Sequence, residues 1–166
     1  MKKINTTIII GILLLAFVGY RMVKRYVLKP KMSFQSEQLT AVDSNYTTTI
    51  EALKGNVLIV SCYQTWCGDC ARETPQLNDL AAKINSPKFT VLYISDESVE
   101  KVTRFRQRFP SDKILFMKFA KRWDDLGIRS FPTTFLLDKN GEVLQTKLEG
   151  YDWLQEEETI KKLLAE

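Results

Sequence analysis

The 166-residue chain contains no histidine. That absence excludes Ser-His-Asp and Cys-His nucleophile systems, catalytic zinc sites built on imidazole, and His-ligated haem. Three cysteines are too few for a disulfide-stapled miniprotein. Seven glycines and five prolines exclude a collagen-like or Pro/Gly-rich disordered chain. There is no internal repeat and no low-complexity tract. The chain is 45% hydrophobic and 27% charged, as in a folded domain, and the length fits one domain with an appendage.

The net charge of +4 is unevenly distributed. Residues 1–31 hold seven of the 24 basic residues and no acid, which leaves 17 basic and 20 acidic groups, a net −3, in residues 32–166. The folded part is therefore mildly acidic, which argues against a nucleic-acid surface.

Lys2-Lys3 precede seventeen uncharged residues, Ile4 to Tyr20, whose centre Ile8–Val18 is apolar apart from Gly11. A basic start followed by a short apolar stretch is the pattern of a secretory signal, and the length is also near the minimum for a membrane-spanning helix. Phe17-Val18-Gly19-Tyr20 is a poor cleavage site. The sequence thus favours an uncleaved signal anchor over residues 1–23, with a cleaved signal as the second reading. Residues 24–36 read as a juxtamembrane linker in which Pro30 blocks the helix, and 37–166 as the folded domain. Arg21, Lys24, Arg25, Lys29 and Lys31 outnumber the basic residues before the apolar stretch. Counting alone would hold the domain in the cytoplasm, whereas an N-terminal signal exports the chain behind it.

Val57–Tyr63 is a continuous apolar run, the mark of a strand buried on both faces, and Phe89–Ser95 is a second. Gly68–Ile84 predicts a helix with Cys70, Thr74, Leu77, Ala81 and Ile84 on one face, and Pro75 should kink it. Ser98–Phe109 predicts an amphipathic helix with Val99, Val102, Phe105 and Phe109 inward. Phe119–Leu126 reads as a short helix. Thr133–Asp138 and Glu142–Leu148 read as a hairpin through Lys139-Asn140-Gly141. Asp152 caps a last helix, with Gln155 as its capping-box partner, and Thr40–Lys54 adds a short hairpin at the start. The fold class is α/β: a mixed central sheet with helices on both faces, plus the N-terminal anchor helix.

The chemistry lies in Trp66-Cys67-Gly68-Asp69-Cys70, where a strand ends and a helix begins. Cys67 at the helix N-terminus meets unpaired amides and the positive end of the macrodipole, which favour a thiolate, the attacking species in disulfide exchange. Cys70, one turn later, faces inward and resolves the mixed disulfide. Two other readings of a CxxC pair are half of a zinc site, short of a second CxxC or any His, and a static disulfide.

This motif resembles the active site of the thioredoxin superfamily, with Asp69 where the family usually has proline. Pro75 matches the proline of the family's active-site helix. Phe131-Pro132-Thr133 matches its cis-proline segment, and Gly150 the glycine after the last strand. Cys67-x-x-Cys70-x-x-Glu73-x-Pro75 resembles the membrane-anchored TlpA/ResA-like thiol-disulfide oxidoreductases. The resemblance spans about residues 35–165. It implies a membrane-tethered enzyme outside the cytoplasm, with Cys67 and Cys70 catalytic, Trp66, Phe131 and Pro132 contacting substrate, and Gly68, Asp69 and Glu73 modulating the site. It implies protein disulfides as substrates and a membrane thiol-disulfide partner as electron donor, with no metal and no organic cofactor. Independently of the family, a strand opening at Pro132 leaves backbone groups near Phe131 free for an extended substrate, and an ordinary edge proline is the alternative.

Three departures bear on the chemistry. The family's buried acid, six residues before the first cysteine, is Ser61 here, and the lysine that pairs with that acid is read as Leu92. Water, Glu73 or another acid is left to move the proton. Glu73 itself reads first as an exposed helix residue. Asp69 opposes thiolate formation while favouring the helix start. Cys62, mid-strand, reads as a small buried hydrophobe. Tyr63 reads as packing beside the dithiol. The rival functions are a non-enzymatic thioredoxin-fold binding or chaperone module and a thiol peroxidase.

Overall fold

The computed structural model describes residues 6–26, 30–148 and 150–166. Lys2-Lys3 of the expected signal and residues 27–29 of the expected linker lie outside them. The chain divides into two units, Met1–Lys31 and Met32–Glu166. The first contains helix α1, Thr6–Tyr26, on which Ile12, Leu13, Leu14 and Leu15 are exposed. Among the described residues no helix is long and apolar enough to cross a membrane.

The second unit is a seven-stranded mixed sheet. Its strands are β1 (Leu39–Ala41), β2 (Thr47–Thr48), β3 (Val57–Cys62), β4 (Phe89–Ser95), β5 (Ile114–Phe119), β6 (Thr133–Leu137) and β7 (Val143–Leu148). They lie in the order β2-β1-β5-β4-β3-β6-β7. β3, β4 and β5 are parallel, and β6 runs antiparallel to β3. Helices α2 (Gly68–Ile84) and α3 (Val99–Arg108) supply the crossovers, and α4 (Glu157–Ala165) closes the chain.

The two crossovers step the same way across the sheet, β3 to β4 and β4 to β5. With the right-handed connection that parallel strands adopt, both helices fall on one face. α4 joins them there: Leu77, Val102, Phe105 and Ile160 share a core with Val57, Ile59, Val91 and Leu136. The opposite face is covered by Phe34, Ile50 and the short 3-10 helices Glu51–Leu53 and Trp123–Leu126, which pack on Leu58, Val60, Leu92, Ile94, Phe135 and Leu137. The expected helices on both faces are thus α-helices on one face and 3-10 turns on the other. Phe34, in the segment read as linker, is fully buried in this second core.

Sequence and structure agree where strands are continuously apolar. α2 and β4 occupy the predicted residues, and Asn140-Gly141 turns the β6–β7 hairpin with Gly141 at φ 83°. Asp138 Oδ1 ties that turn by accepting from the amides of Asn140 (2.9 Å) and Glu142 (2.8 Å). Elsewhere the structure differs. β5 has no counterpart among the predicted elements: exposed Leu115 and half-buried Lys118 interrupt its pattern, and pairing with β4 and β1 makes it a strand. The expected helix from Phe119 shrinks to the turn Trp123–Leu126, because Phe119 ends β5. Val99, expected inward, is 43% exposed in the first turn of α3. Asp152 does cap: its Oδ1 accepts from Leu154 N at 3.1 Å. Gln155, however, meets the Asp152 side chain, and the first turn, Trp153–Glu156, is 3-10.

Candidate active site

Successive residues of a strand point to opposite faces. At the end of β3 this places Ser61 toward the helices and Cys62 away from them. Ser61 sits beside Tyr93 of β4 and Thr134 of β6 in the sheet register. Three hydroxyls from three adjacent strands therefore face α2, near the point where that helix starts.

α2 begins at the dithiol. Cys67 and Cys70 form a disulfide, with their Cα atoms 5.3 Å apart. Cys67 is the N-cap residue, and its Sγ accepts from the amide of Cys70 at 3.0 Å. It is 7% exposed, whereas Cys70 is fully enclosed. The less buried sulfur thus sits at the positive end of the helix, where an anion is stabilised. Cys67 Sγ also lies 3.4 Å from the carbonyl oxygen of Phe131, which precedes Pro132 across a cis peptide bond. Trp66 is 72% exposed and meets the Phe131 ring edge to face, with centroids 6.1 Å apart. Cys67, Trp66, Phe131 and Pro132 are thereby brought together. Tyr63 is fully buried and stacks on Tyr93 at 4.2 Å, as packing requires.

Asp69, in the first turn of α2, forms an ion pair with Arg72. Gly68 is beside it. Cys62 is fully buried in the core on the other face of the sheet, away from the dithiol, and burial pushes its thiol well up. Cys67 and Cys70 belong to the helix-side core.

Glu73 departs most sharply from the sequence reading. It is only 2% exposed. Its Oε2 accepts from Ser61 Oγ at 3.0 Å, and its Oε1 accepts from Thr134 Oγ1 at 3.1 Å and from the indole Nε1 of Trp153 at 2.5 Å. Tyr93 Oη lies 3.5 Å from Oε2 and donates to the Cys70 carbonyl at 2.7 Å. Among the described residues no cation pairs with this carboxyl. Burial raises its proton affinity above the usual carboxylate range, against the lowering effect of the four neutral donors. The residue across from Ser61 is Tyr93 rather than Leu92, whose side chain belongs to the opposite core. The sequence signal for Glu73 is its place one turn after Cys70. Nothing local shows that three strands would supply its donors.

The chain matches the Redoxin family over residues 29–164. It is 26% identical over 163 residues to the thiol-disulfide oxidoreductase ResA of Bacillus thuringiensis subsp. konkukian (strain 97-27), covering 94% of each. It is 30% identical over 115 residues to the thiol-disulfide oxidoreductase ResA of Bacillus thuringiensis (strain Al Hakam), covering 61% of this chain and 65% of that relative, just under two thirds. A crystal structure of a thiol:disulfide interchange protein of the thioredoxin family from Chlorobium tepidum TLS superposes with a TM-score of 0.63 at 21% identity, over 81% of this chain and 99% of that one, and shows the shared fold. With its CxxC disulfide at the head of α2 and this match along most of its length, the chain belongs to the Redoxin family.

Proposed function

We propose that the protein is a membrane-anchored reductase of extracytoplasmic protein disulfides. The observation that carries the chemistry is the asymmetry of the dithiol: Cys67 caps α2 beside the Phe131 carbonyl, and Cys70 is enclosed one turn behind it. In the reduced form the Cys67 thiolate attacks a substrate disulfide. One substrate sulfur leaves as a thiolate and takes a proton, and the other remains bonded to Cys67. Cys70 then loses its proton and attacks Cys67, which releases the second substrate sulfur and leaves the Cys67–Cys70 disulfide. Two electrons have moved from the dithiol to the substrate. A membrane thiol-disulfide partner restores the dithiol by the reverse exchange.

Glu73 is the proton acceptor for Cys70. It follows Cys70 by one turn, and Tyr93 touches both residues. Trp66 and Phe131 form the aromatic rim on which the substrate chain rests, with its backbone against the segment around Pro132. Asp69 tempers the thiolate at Cys67. The anchor is supported by sequence, through the seventeen uncharged residues after Lys2-Lys3, and export by the resemblance to anchored relatives.

An insulin-reduction assay tests the enzymatic reading. The parent should reduce insulin in the presence of a dithiol donor, and Cys67→Ser should abolish the activity. A folded parent without activity would instead point to a binding module.

A further inference from the structure

Three of the donors to Glu73 come from strands, and the fourth comes from outside the sheet. Trp153 opens the 3-10 helix that comes after β7, is fully buried, and directs its indole N–H to Glu73 Oε1 at 2.5 Å. The segment that carries it is fastened from several sides. Tyr151 meets Trp153 edge to face at 5.2 Å and donates from its hydroxyl to Glu156 Oε1 at 2.7 Å. Gln145 of β7 donates to Glu156 Oε2 at 3.2 Å, and Lys147 of β7 places its Nζ 4.0 Å over the Tyr151 ring. Beside it an open groove of about 440 Å³ is lined by Asp69, Arg72, Glu73 and Gln76 of α2 and by Gly150–Asp152.

We propose that Trp153 is a positioning residue for the buried carboxyl: its indole N–H, held by the Tyr151–Glu156 clasp, fixes Glu73 against Ser61 and Thr134. An N–H donor to a carboxylate favours the charged form, so the contact keeps Glu73 able to take a proton despite its burial. Rotamer freedom at Glu73 would otherwise let the carboxyl swing toward the groove and water. The titratable and charged neighbours are Tyr93 from β4, Cys62 from β3, Cys70, Asp69 and Arg72 from its own helix, and Tyr151 and Asp152 across the groove. None of these is a cation in contact with the carboxyl, so the indole is the donor whose loss has no charged substitute. The role rests on the reading of Glu73 as proton acceptor for Cys70, and separate measurements distinguish the two.

The experiment uses the full chain in its reduced form, with the Glu73 carboxyl monitored by ¹³C-detected NMR against pH. Trp153→Phe keeps an aromatic ring and removes the N–H. The Glu73 midpoint should rise by about one pH unit, the size expected for loss of one hydrogen bond to a charged group. An unchanged or lowered midpoint would overturn the proposal. If Trp153→Phe does not fold, the wild-type indole N–H proton resonance of Trp153 serves instead. It should shift with the Glu73 midpoint and lose that dependence in Glu73→Gln; a flat resonance overturns the proposal. The insulin-reduction rate of Glu73→Gln reads the proton-acceptor role separately. A parental rate there removes that role, while a raised midpoint in Trp153→Phe still establishes the positioning contact.

Discussion

Ser61 Oγ donates to Glu73 Oε2 across 3.0 Å, from β3 to the active-site helix. The strand position where thioredoxin-like proteins commonly hold an acid carries a hydroxyl here, and the acid stands on the helix instead. A hydroxyl and a carboxylate are complementary where two carboxylates would repel. Thr134, 2.8 Å from Ser61, and Tyr93 complete the same arrangement from the flanking strands.

Glu73 should make stability depend on pH. Its carboxyl is raised in the folded state by burial, so the unfolded chain releases this proton at lower pH than the native one. The contribution of the protonated, buried group is fully present below the ordinary carboxylate value, about 4.3, and is lost as pH rises through the folded value. The urea midpoint of oxidised wild type should therefore fall relative to Glu73→Gln as pH rises from about 4 through the raised folded value of this carboxyl. A difference between the two proteins that stays constant with pH would refute this assignment.

The order of thiol reactions gives a second expectation. Cys70→Ser should accumulate a stable mixed disulfide between Cys67 and substrate, since no resolving thiol remains. Cys67→Ser should trap little, because Cys70 is fully enclosed. Non-reducing gels with a disulfide substrate compare them, and equal trapping would reverse or abolish the assigned roles.

Cys62 lies in the core opposite the dithiol. Cys62→Ala should keep insulin reduction near the parental rate and cost on the order of 1 kcal/mol in urea unfolding, as for a small buried truncation. A folded variant without activity would give Cys62 a redox role that its placement argues against.

Asp69 pairs with Arg72, so part of its charge is already offset before it reaches the sulfur. Asp69→Asn removes the remaining repulsion. The thiolate absorbance of Cys67 in the reduced protein should then titrate at lower pH, with a less negative dithiol reduction potential, because a more stable thiolate stabilises the reduced form. The shift should be small, given the Arg72 pairing. A midpoint that stays or rises would show that Asp69 serves only the first turn of the helix.

Much of the site is legible in the chain. Trp66-Cys67-Gly68-Asp69-Cys70 at a strand-to-helix junction, Pro132 at the head of a strand, and the runs Val57–Tyr63 and Phe89–Ser95 are local patterns, governed by capping, backbone restriction and continuous apolarity. Those physical signals act over a few residues and survive without knowledge of the fold. The environment of Glu73 is of another kind. Its donors stand at positions 61, 93, 134 and 153, on three strands and a turn that only the sheet order and the chain's return after β7 bring together. A carboxyl one turn beyond a cysteine has the same local signature whether it meets water or three strands. The same holds for β5, whose broken apolar pattern becomes a strand through pairing with β4 and β1, and for the side of the sheet that each helix covers. Crossover direction fixes that side, and it is a property of strand order rather than of any helix's own residues.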